Sequence, residues 1–307
     1  MFKEDYTIGI VGLGLMGGAI ARALKEKCGI PQEKLFACDT DGKILNAAKE
    51  QRLVSQVYAV EKAGDMLSAS DVVFLCLNPS SVIRFLEKWY SSFKPNSIVT
   101  DIAGTKASIA AAVQELQKTN AAFIFIPGHP MAGAEKGGFE NSHLVDFTGK
   151  NYILTCKDNE NPQALDFLKE LICKMGFGRI TEVTPEEHDR KIAFTSQLCH
   201  VIASALIDCE ADTEITRFGG GSFEDLTRIA MLNAPMWTEI FIENRSLLLE
   251  RINQFEKSLD ELKELIGSAK AAELEKRLEL VKARRTEMSQ TGSPINADLR
   301  GLNADLR

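Results

Sequence analysis

Thr7-Ile8-Gly9-Ile10-Val11-Gly12-Leu13-Gly14-Leu15-Met16-Gly17-Gly18-Ala19-Ile20-Ala21-Arg22-Ala23-Leu24 decides the fold. Its first five residues form a short, β-prone apolar run, and its last six are mostly helix formers. Between them Gly12, Gly14 and Gly17 fall at the spacing GxGxxG, in the strand–turn–helix context a dinucleotide fingerprint requires. Gly12 permits the tight turn, Gly14 lets a pyrophosphate approach the main chain, and Gly17 lets the helix pack close to the strand. The helix N-terminus then faces the phosphates. Gly12, Leu13, Gly14, Leu15, Met16 and Gly17 are therefore the expected dinucleotide contacts.

Working outward, Lys34 to Cys38 reads as a second strand, and Asp39 ends it 22 residues after Gly17. That is about where an acidic residue grips the ribose hydroxyls of NAD. Asp41 adds negative charge and no Arg follows to accept a 2′-phosphate, which favours NAD over NADP. Asp39 could instead be a helix N-cap, a task open equally to Thr40 or Asp41. Asp71–Leu77, Ser97–Asp101 and Phe123–Ile126 are further short apolar strands separated by helical stretches, one opening at Pro79 and one spanning about Ala107 to Leu116. Leu77 and Asp101, at carboxyl ends of these strands, are additional expected cofactor contacts. Asn151–Cys156 and Arg179–Val183 read as two more strands, with a helix from near Pro162 between them.

Repeated βα units of this kind define an α/β chain with an N-terminal doubly wound, Rossmann-type parallel sheet. After Thr184-Pro185-Glu186-Glu187 the strand signals stop. Thr184 fits an N-cap, Pro185 the first helical position, and Glu187 a capping box. The expected division is residues 1–184 for the nucleotide and 185–307 as an all-helical domain for substrate and dimerisation. Helices are expected over about 188–209, 224–232, 235–253 and 255–285. The last has Leu at helical spacing among dense charge, suiting a partner-packing face. The tail carries Asn296-Ala297-Asp298-Leu299-Arg300 and again Asn303-Ala304-Asp305-Leu306-Arg307, too short a repeat for a solenoid and read as a frayed or docking tail.

The chain has 307 residues, room for two domains, and a net charge of -7, which argues against a general nucleic-acid binder. Its apolar runs are too short for a membrane span, and its N-terminus does not read as a signal peptide. Seven scattered Cys without a CxxC pair read as core thiols of a cytoplasmic protein, not as disulfides or zinc ligands. An anionic substrate would have to be drawn by local cations.

The chemistry concentrates at Ile126-Pro127-Gly128-His129-Pro130-Met131-Ala132-Gly133-Ala134-Glu135-Lys136-Gly137-Gly138. Gly and Pro exclude a helix interior or a central strand here. One imidazole, His129, is thereby placed beyond the carboxyl end of a strand, where open α/β sheets bind ligands; the alternative is a plain exposed turn. Farther on, Ser196 and His200 lie four residues apart and share a helix face. Gly219-Gly220-Gly221 leads into a helix bearing Arg228, a natural carboxylate clamp, and Trp237 follows Pro235.

Taken together, GxGxxG, His129-Pro130-Met131-Ala132-Gly133-Ala134-Glu135-Lys136-Gly137-Gly138, His188-Asp189 with Ser196 to His200, and Phe223 to Ala230 followed by Met236-Trp237 resemble the prephenate dehydrogenase family, which includes arogenate dehydrogenases. The resemblance spans about Thr7 to Arg285. It implies a homodimeric, NAD-dependent oxidative decarboxylation of prephenate to 4-hydroxyphenylpyruvate in tyrosine biosynthesis, with arogenate as the alternative substrate. It implies His129 as the catalytic base toward the C4 hydroxyl, Arg228 as the substrate-carboxylate Arg and His200 as its helper. Glu135 matches a residue at the mouth of the site. Asp225 and Trp237 match residues that shape the pocket. Ser196 and Thr105 complete the substrate set. The chain departs from the family pattern in three places. Gly104 stands where many members have Ser, a role Thr105 or Lys106 could take. Ser196-Gln197-Leu198-Cys199-His200 replaces SHxPH, so Gln197 stands for a His and Cys199 for the Pro. No regulatory or chorismate mutase segment is recognised.

Two rivals follow. The first stretch also resembles 3-hydroxyisobutyrate and 6-phosphogluconate dehydrogenases, which place a catalytic Lys on a long helix; Lys191 is on such a helix but lacks their Gly pattern. A non-catalytic NAD-binding sensor would rest on Gly104 and Gln197 alone, against the intact His129, Arg228 and His200.

Overall fold

The computed structural model describes residues 6–119, 122–134, 136–156 and 161–291. The chain divides into two compact units, Met1–Leu248 and Leu249–Arg307. The first begins with β1 (Ile8–Val11), the GxGxxG turn and α1 (Leu15–Glu26). It continues through β2 (Leu35–Asp39), α2 (Gly42–Glu50), β3 (Gln56–Ala59), α3 (Ala63–Ala69), β4 (Val72–Leu75), α4 (Pro79–Trp89), β5 (Ile98–Asp101), α5 (Ala107–Gln117) and β6 (Ile124–Phe125). These six strands form one parallel sheet of order β3-β2-β1-β4-β5-β6. The order reverses direction between β1 and β4, and a crevice opens at the strand ends there.

Both faces of this sheet are covered, as the strand sequences require. Ile8 and Ile10 of β1, Val72 and Phe74 of β4, and Ile98 of β5 enter one buried cluster. The alternate residues Val11, Val73, Leu75 and Val99 enter the other. Side chains that alternate between two apolar layers leave no solvated face, so the strands read as continuous apolar runs.

The strands after β6 leave the main sheet. β7 (Gly128–Pro130), β8 (Asn151–Leu154) and β9 (Arg179–Glu182), with α6 (Pro162–Lys174) between the last two, form a separate three-stranded sheet of order β7-β8-β9. β7 pairs antiparallel with β8 and β8 parallel with β9. The Gly-Pro stretch around His129 therefore contains an edge strand, a position that tolerates Pro130 because no further ladder needs its missing N–H. His129 sits opposite Ile153 in that ladder.

Helices fill the rest of the first unit: α7 (Pro185–Ile192), a π-helical segment over Ala193–Gln197, α8 (Leu198–Asp208), α9 (Gly221–Thr227) and α10 (Ala234–Glu243). Thr184 accepts from Glu187 N at 3.2 Å and Pro185 takes the first turn, the cap the sequence announces. The expected single helix over 188–209 thus starts earlier and carries a π segment. The helix expected over 224–232 ends at Thr227 and passes into a 3-10 turn at Arg228–Ala230. A break at Asn244 separates α10 from α11 (Arg245–Gly267).

In the second unit the expected continuous helix over 255–285 is two. α11 ends at Gly267, Ala269 adopts φ 48°, and α12 (Ala271–Thr291) follows. A positive φ cannot be carried inside an α-helix, so the chain turns there. Arg277 of α12 donates to Glu261 of α11 at 2.8 Å, tying the two helices together. The repeated tail, Asn296 to Arg307, lies outside the described residues.

The turn after β1 gives a direct test of the fold. Gly12 has φ +87°, and a Cβ on Gly17 would stand 1.9 Å from the Gly12 carbonyl oxygen. Gly17→Ala is expected to force helix and strand apart and lower Tm by about 5 °C or more, following the usual slope for a chain of this size. Thermal unfolding measures it; an unchanged Tm contradicts this packing.

Candidate active site

The site is built where β1, β4 and β6 end. Gly14, Leu15, Met16 and Gly17 from the first turn, Leu77 after β4, and His129 on β7 all line one cleft of about 730 Å³. Ser196, Gln197, His200, Arg228 and Trp237 close it from the helical side. A Cβ on Gly14 would meet nothing within 4 Å, so the turn presents bare main chain to the cleft at the start of α1. That is the cradle a pyrophosphate needs. Gly12 lies beneath, its N–H donating to Cys38 O at 2.8 Å.

His129 is held from behind by a second imidazole. Its Nδ1 is 2.9 Å from His188 Nε2, and His188 Nδ1 is 2.7 Å from Asp189 Oδ1. The carboxylate of Asp189 can only accept, so His188 carries its proton on Nδ1. Burial pushes both imidazoles below their usual pKa; for His129 it is reinforced by His188 and Lys106, for His188 it outweighs the pull of Asp189. A neutral His188 offers a lone pair at Nε2, so His129 must donate from Nδ1. The lone pair of His129 is then on Nε2, the nitrogen left for a ligand. This arrangement follows from the network itself.

Asp189 is fixed in turn. Its Oδ1 accepts Lys106 N and its Oδ2 accepts Ala107 N, each at 2.9 Å, so it caps the start of α5 while orienting His188. Lys106 is fully buried and pairs through Nζ with Asp101 Oδ2, which also accepts Ala103 N at 2.9 Å. Burial drives the Lys106 ammonium downward against the attraction of Asp101. A cation sealed near His129 disfavours a second positive charge on the imidazole.

The π segment shapes the opposite wall. Ile192 and Gln197, five residues apart, both reach the cleft, which the wider π turn allows. Ser196 O accepts from His200 Nδ1 at 3.0 Å, and His200 stacks on Trp237 with ring centroids 3.6 Å apart. Burial lowers the His200 pKa. Asn244, at the break after α10, donates from Nδ2 to both Asp189 O (2.9 Å) and Gln197 Oε1 (2.8 Å).

Of the residues expected from sequence, Gly14, Leu15, Met16, Gly17, Leu77, His129, Ser196, His200, Arg228 and Trp237 line the cleft. Asp39 holds the turn: its carboxylate accepts Leu13 N at 2.6 Å and Asp41 N at 2.9 Å. The cap of α2 is Asp41, which accepts Lys43 N, so Asp39 is not that cap. Leu13 is buried. Three expected residues lie outside the cleft lining. Asp101, expected to touch cofactor, is fully buried against Lys106, with Oδ2 taken by the Lys106 cation and the Ala103 amide. Thr105, expected to touch substrate, is 2% exposed and outside the lining. Asp225 is exposed and also outside the lining. Glu135 lies outside the described residues. Lys191, which a hydroxyacid-dehydrogenase reading would need, is exposed and does not line the cleft. Sequence reasoning noted His188-Asp189 without a role, weighed Lys106 only as a stand-in for the Ser absent at Gly104, and missed Asn244; an adjacent His and Asp at a helix start was the signal for the rest.

Comparison with known proteins gives a family. Residues 20–181 match the model described as "Prephenate dehydrogenase, nucleotide-binding domain", and residues 184–280 match "Prephenate dehydrogenase, dimerization domain". The chain is 30% identical over 267 residues to the cyclohexadienyl dehydrogenase of Zymomonas mobilis, covering 85% of this chain and 88% of that one. It is similar to the crystal structure of prephenate dehydrogenase from A. aeolicus in complex with hydroxyphenyl propionate and NAD+, at TM-score 0.80 and 28% identity over 94% of this chain and 100% of that one. It is also similar to Synechocystis arogenate dehydrogenase, at TM-score 0.74 and 27% identity over 92% and 99% of the two chains.

Two outcomes follow from the histidine chain. Because His129 is held neutral well below 6.5, kcat/KM is expected to stay level from neutral pH down past that value and to fall only at more acidic pH, as imidazolium forms. A half-maximum at or above 6.5 in the pH profile contradicts the burial argument. Asp189→Asn removes the obligate acceptor and lets His188 adopt the other tautomer; kcat is expected to fall about 10²-fold or more with little change in KM. Steady-state kinetics decide, and a kcat within threefold of the parent excludes the relay.

Proposed function

The chain belongs to the prephenate dehydrogenase family of oxidoreductases, and from that premise we propose that it converts prephenate to 4-hydroxyphenylpyruvate and carbon dioxide with NAD. The observation that carries this reading is the neutral His129, backed by His188 and Asp189, at the cleft where the GxGxxG turn opens. Gly14 to Gly17 would hold the pyrophosphate of NAD, and Asp39 its adenosine ribose. NAD supplies the hydride acceptor. His129 Nε2 takes the C4 hydroxyl proton as C4 is oxidised. The ring carboxylate then leaves as carbon dioxide, its electron pair completes the aromatic ring, and the oxygen regains its proton. Arg228 is the clamp for a substrate carboxylate, and His200, stacked on Trp237, supports that end. Ser196 contributes to the same wall.

The division of labour we propose is residues 1–184 for nucleotide and 185–307 for substrate and dimerisation. The family model's dimerization description supports a homodimer, as do large apolar side chains left exposed in the helical part, among them Phe218 and Met231. No helix among the described residues is long and apolar enough to cross a membrane. Seven free cysteines support a reducing, cytoplasmic setting for a tyrosine-pathway enzyme.

Arogenate is the second reading, because similar proteins carry both names. NADH formation by purified protein with prephenate and arogenate, each with NAD and NADP, is the test; turnover is expected with prephenate and NAD. Turnover with arogenate alone selects the second reading, and none with either substrate overturns both. Arg228→Gln is expected to raise KM about tenfold or more with a smaller loss of kcat, since it removes a charged contact made in the ground state. An unchanged KM moves the clamp elsewhere.

A further inference from the structure

Gln197 is fully buried, lines the cleft, and leaves its side-chain Nε2 without a hydrogen-bond partner among the described residues. Which end of the amide is unpaired is settled by its neighbours. Asn244 Nδ2 points at the main-chain carbonyl of Asp189, an acceptor only, so that end of Asn244 is the donor. The Gln197 atom 2.8 Å from the same nitrogen must then be oxygen. Gln197, a residue of the cleft wall, accordingly carries its unpartnered hydrogens on a buried Nε2, and that end of the amide can only donate. A buried donor with nothing to donate to is rare in folded proteins and marks a place where a ligand completes the bonding.

The position of the donor is set by the same residue that sets the base. Asp189 holds His129 through its carboxylate and His188; it holds Gln197 through its carbonyl and Asn244. Both residues belong to the cleft wall, and both are tied to Asp189. Resting on the reaction proposed above, we propose that Gln197 is a catalytic residue whose Nε2–H donates to the C4 oxygen of the cyclohexadienyl substrate while His129 takes that oxygen's proton. The C4–H electron pair leaves as hydride to oxidised nicotinamide, and the oxygen acquires carbonyl character and a stronger pull on the Gln197 donor. After carbon dioxide departs, the ring electrons return negative charge to the same oxygen, where the amide again stabilises it until the proton comes back. A fixed donor aimed at developing negative charge acts in the transition state more than in the ground state.

The test pairs a change in the protein with a change in the ligand. Binding of 4-hydroxyphenylpyruvate and of phenylpyruvate, which lacks the oxygen, is measured by calorimetry on the NAD-saturated protein. The parent is expected to prefer the hydroxylated ligand, and Gln197→Met, similar in length but without a donor, is expected to reduce that preference about tenfold while binding phenylpyruvate unchanged. An unchanged preference in the variant, or no preference in the parent, overturns the assignment. So does a loss confined to NAD affinity, which would move the donor to the nicotinamide amide. Gln197→Glu keeps the shape and an oxygen for Asn244 but sets a carboxylate against the reacting oxygen; kcat is expected to fall about 10²-fold with NAD affinity retained. If the Met variant does not fold, this second variant decides, and a kcat within threefold of the parent sinks the proposal. Should the parent turn over neither prephenate nor arogenate, the reaction itself is wrong; should it turn over normally while both variants behave like it, only Gln197 loses its role.

Discussion

The carboxylate of Asp189 joins the two halves of the site. Two main-chain amides at the start of α5, Lys106 N and Ala107 N, fix it in place, and one of its oxygens also receives the Nδ1 proton of His188. An acceptor engaged three times has no freedom to rotate, so the imidazole it orients has none either. The order passes to His129 and ends at a lone pair facing the cleft. A segment from the sheet, one from the edge strand β7 and one from the helix α7 must all be in place before the base exists. The fold thus completes its chemistry only when the helical segment docks on the sheet.

Electrostatics work with this geometry. Lys106 and Asp101 are both wholly removed from water, and breaking such a pair by removing one partner leaves a buried charge worth about 3–5 kcal/mol of destabilisation. Burial above all, then His188 and the cation of this pair, keeps His129 from gaining a proton, so the base stays ready for a hydroxyl proton at neutral pH. Asp101 Oδ2 also holds the main chain after β5 through Ala103 N.

Much of this was legible in the residues. GxGxxG between an apolar run and a helix, with Asp39 at the next strand end, placed the dinucleotide turn and the central strands, because those signals are local. The edge strand β3 escaped because its residues are half-solvated and lack an apolar run. β7 escaped because Gly and Pro argue against strands in general and allow them only at edges. The π segment depends on one additional residue per turn, which no periodicity of about 3.6 reveals. Asp101 and Asp39 both end strands and look alike in sequence. Only packing sends one to a buried Lys and the other to the main chain of the turn. His188-Asp189 was visible as a dipeptide, but its partner lies 59 residues away along the chain.

The site depends on a neutral His129, protonated on Nδ1, that presents its lone pair from Nε2. The chain has four histidines, His129, His143, His188 and His200, few enough for ring-nitrogen NMR signals to be assigned by single substitutions. A ¹⁵N–¹H correlation spectrum of ring-labelled protein, followed from pH 8 downward, measures the tautomer and the titration together. Nδ1–H signals are expected for both His129 and His188, with His129 remaining neutral well below 6.5. An Nε2–H tautomer at His129, or an imidazolium forming there near 6.5, would contradict it.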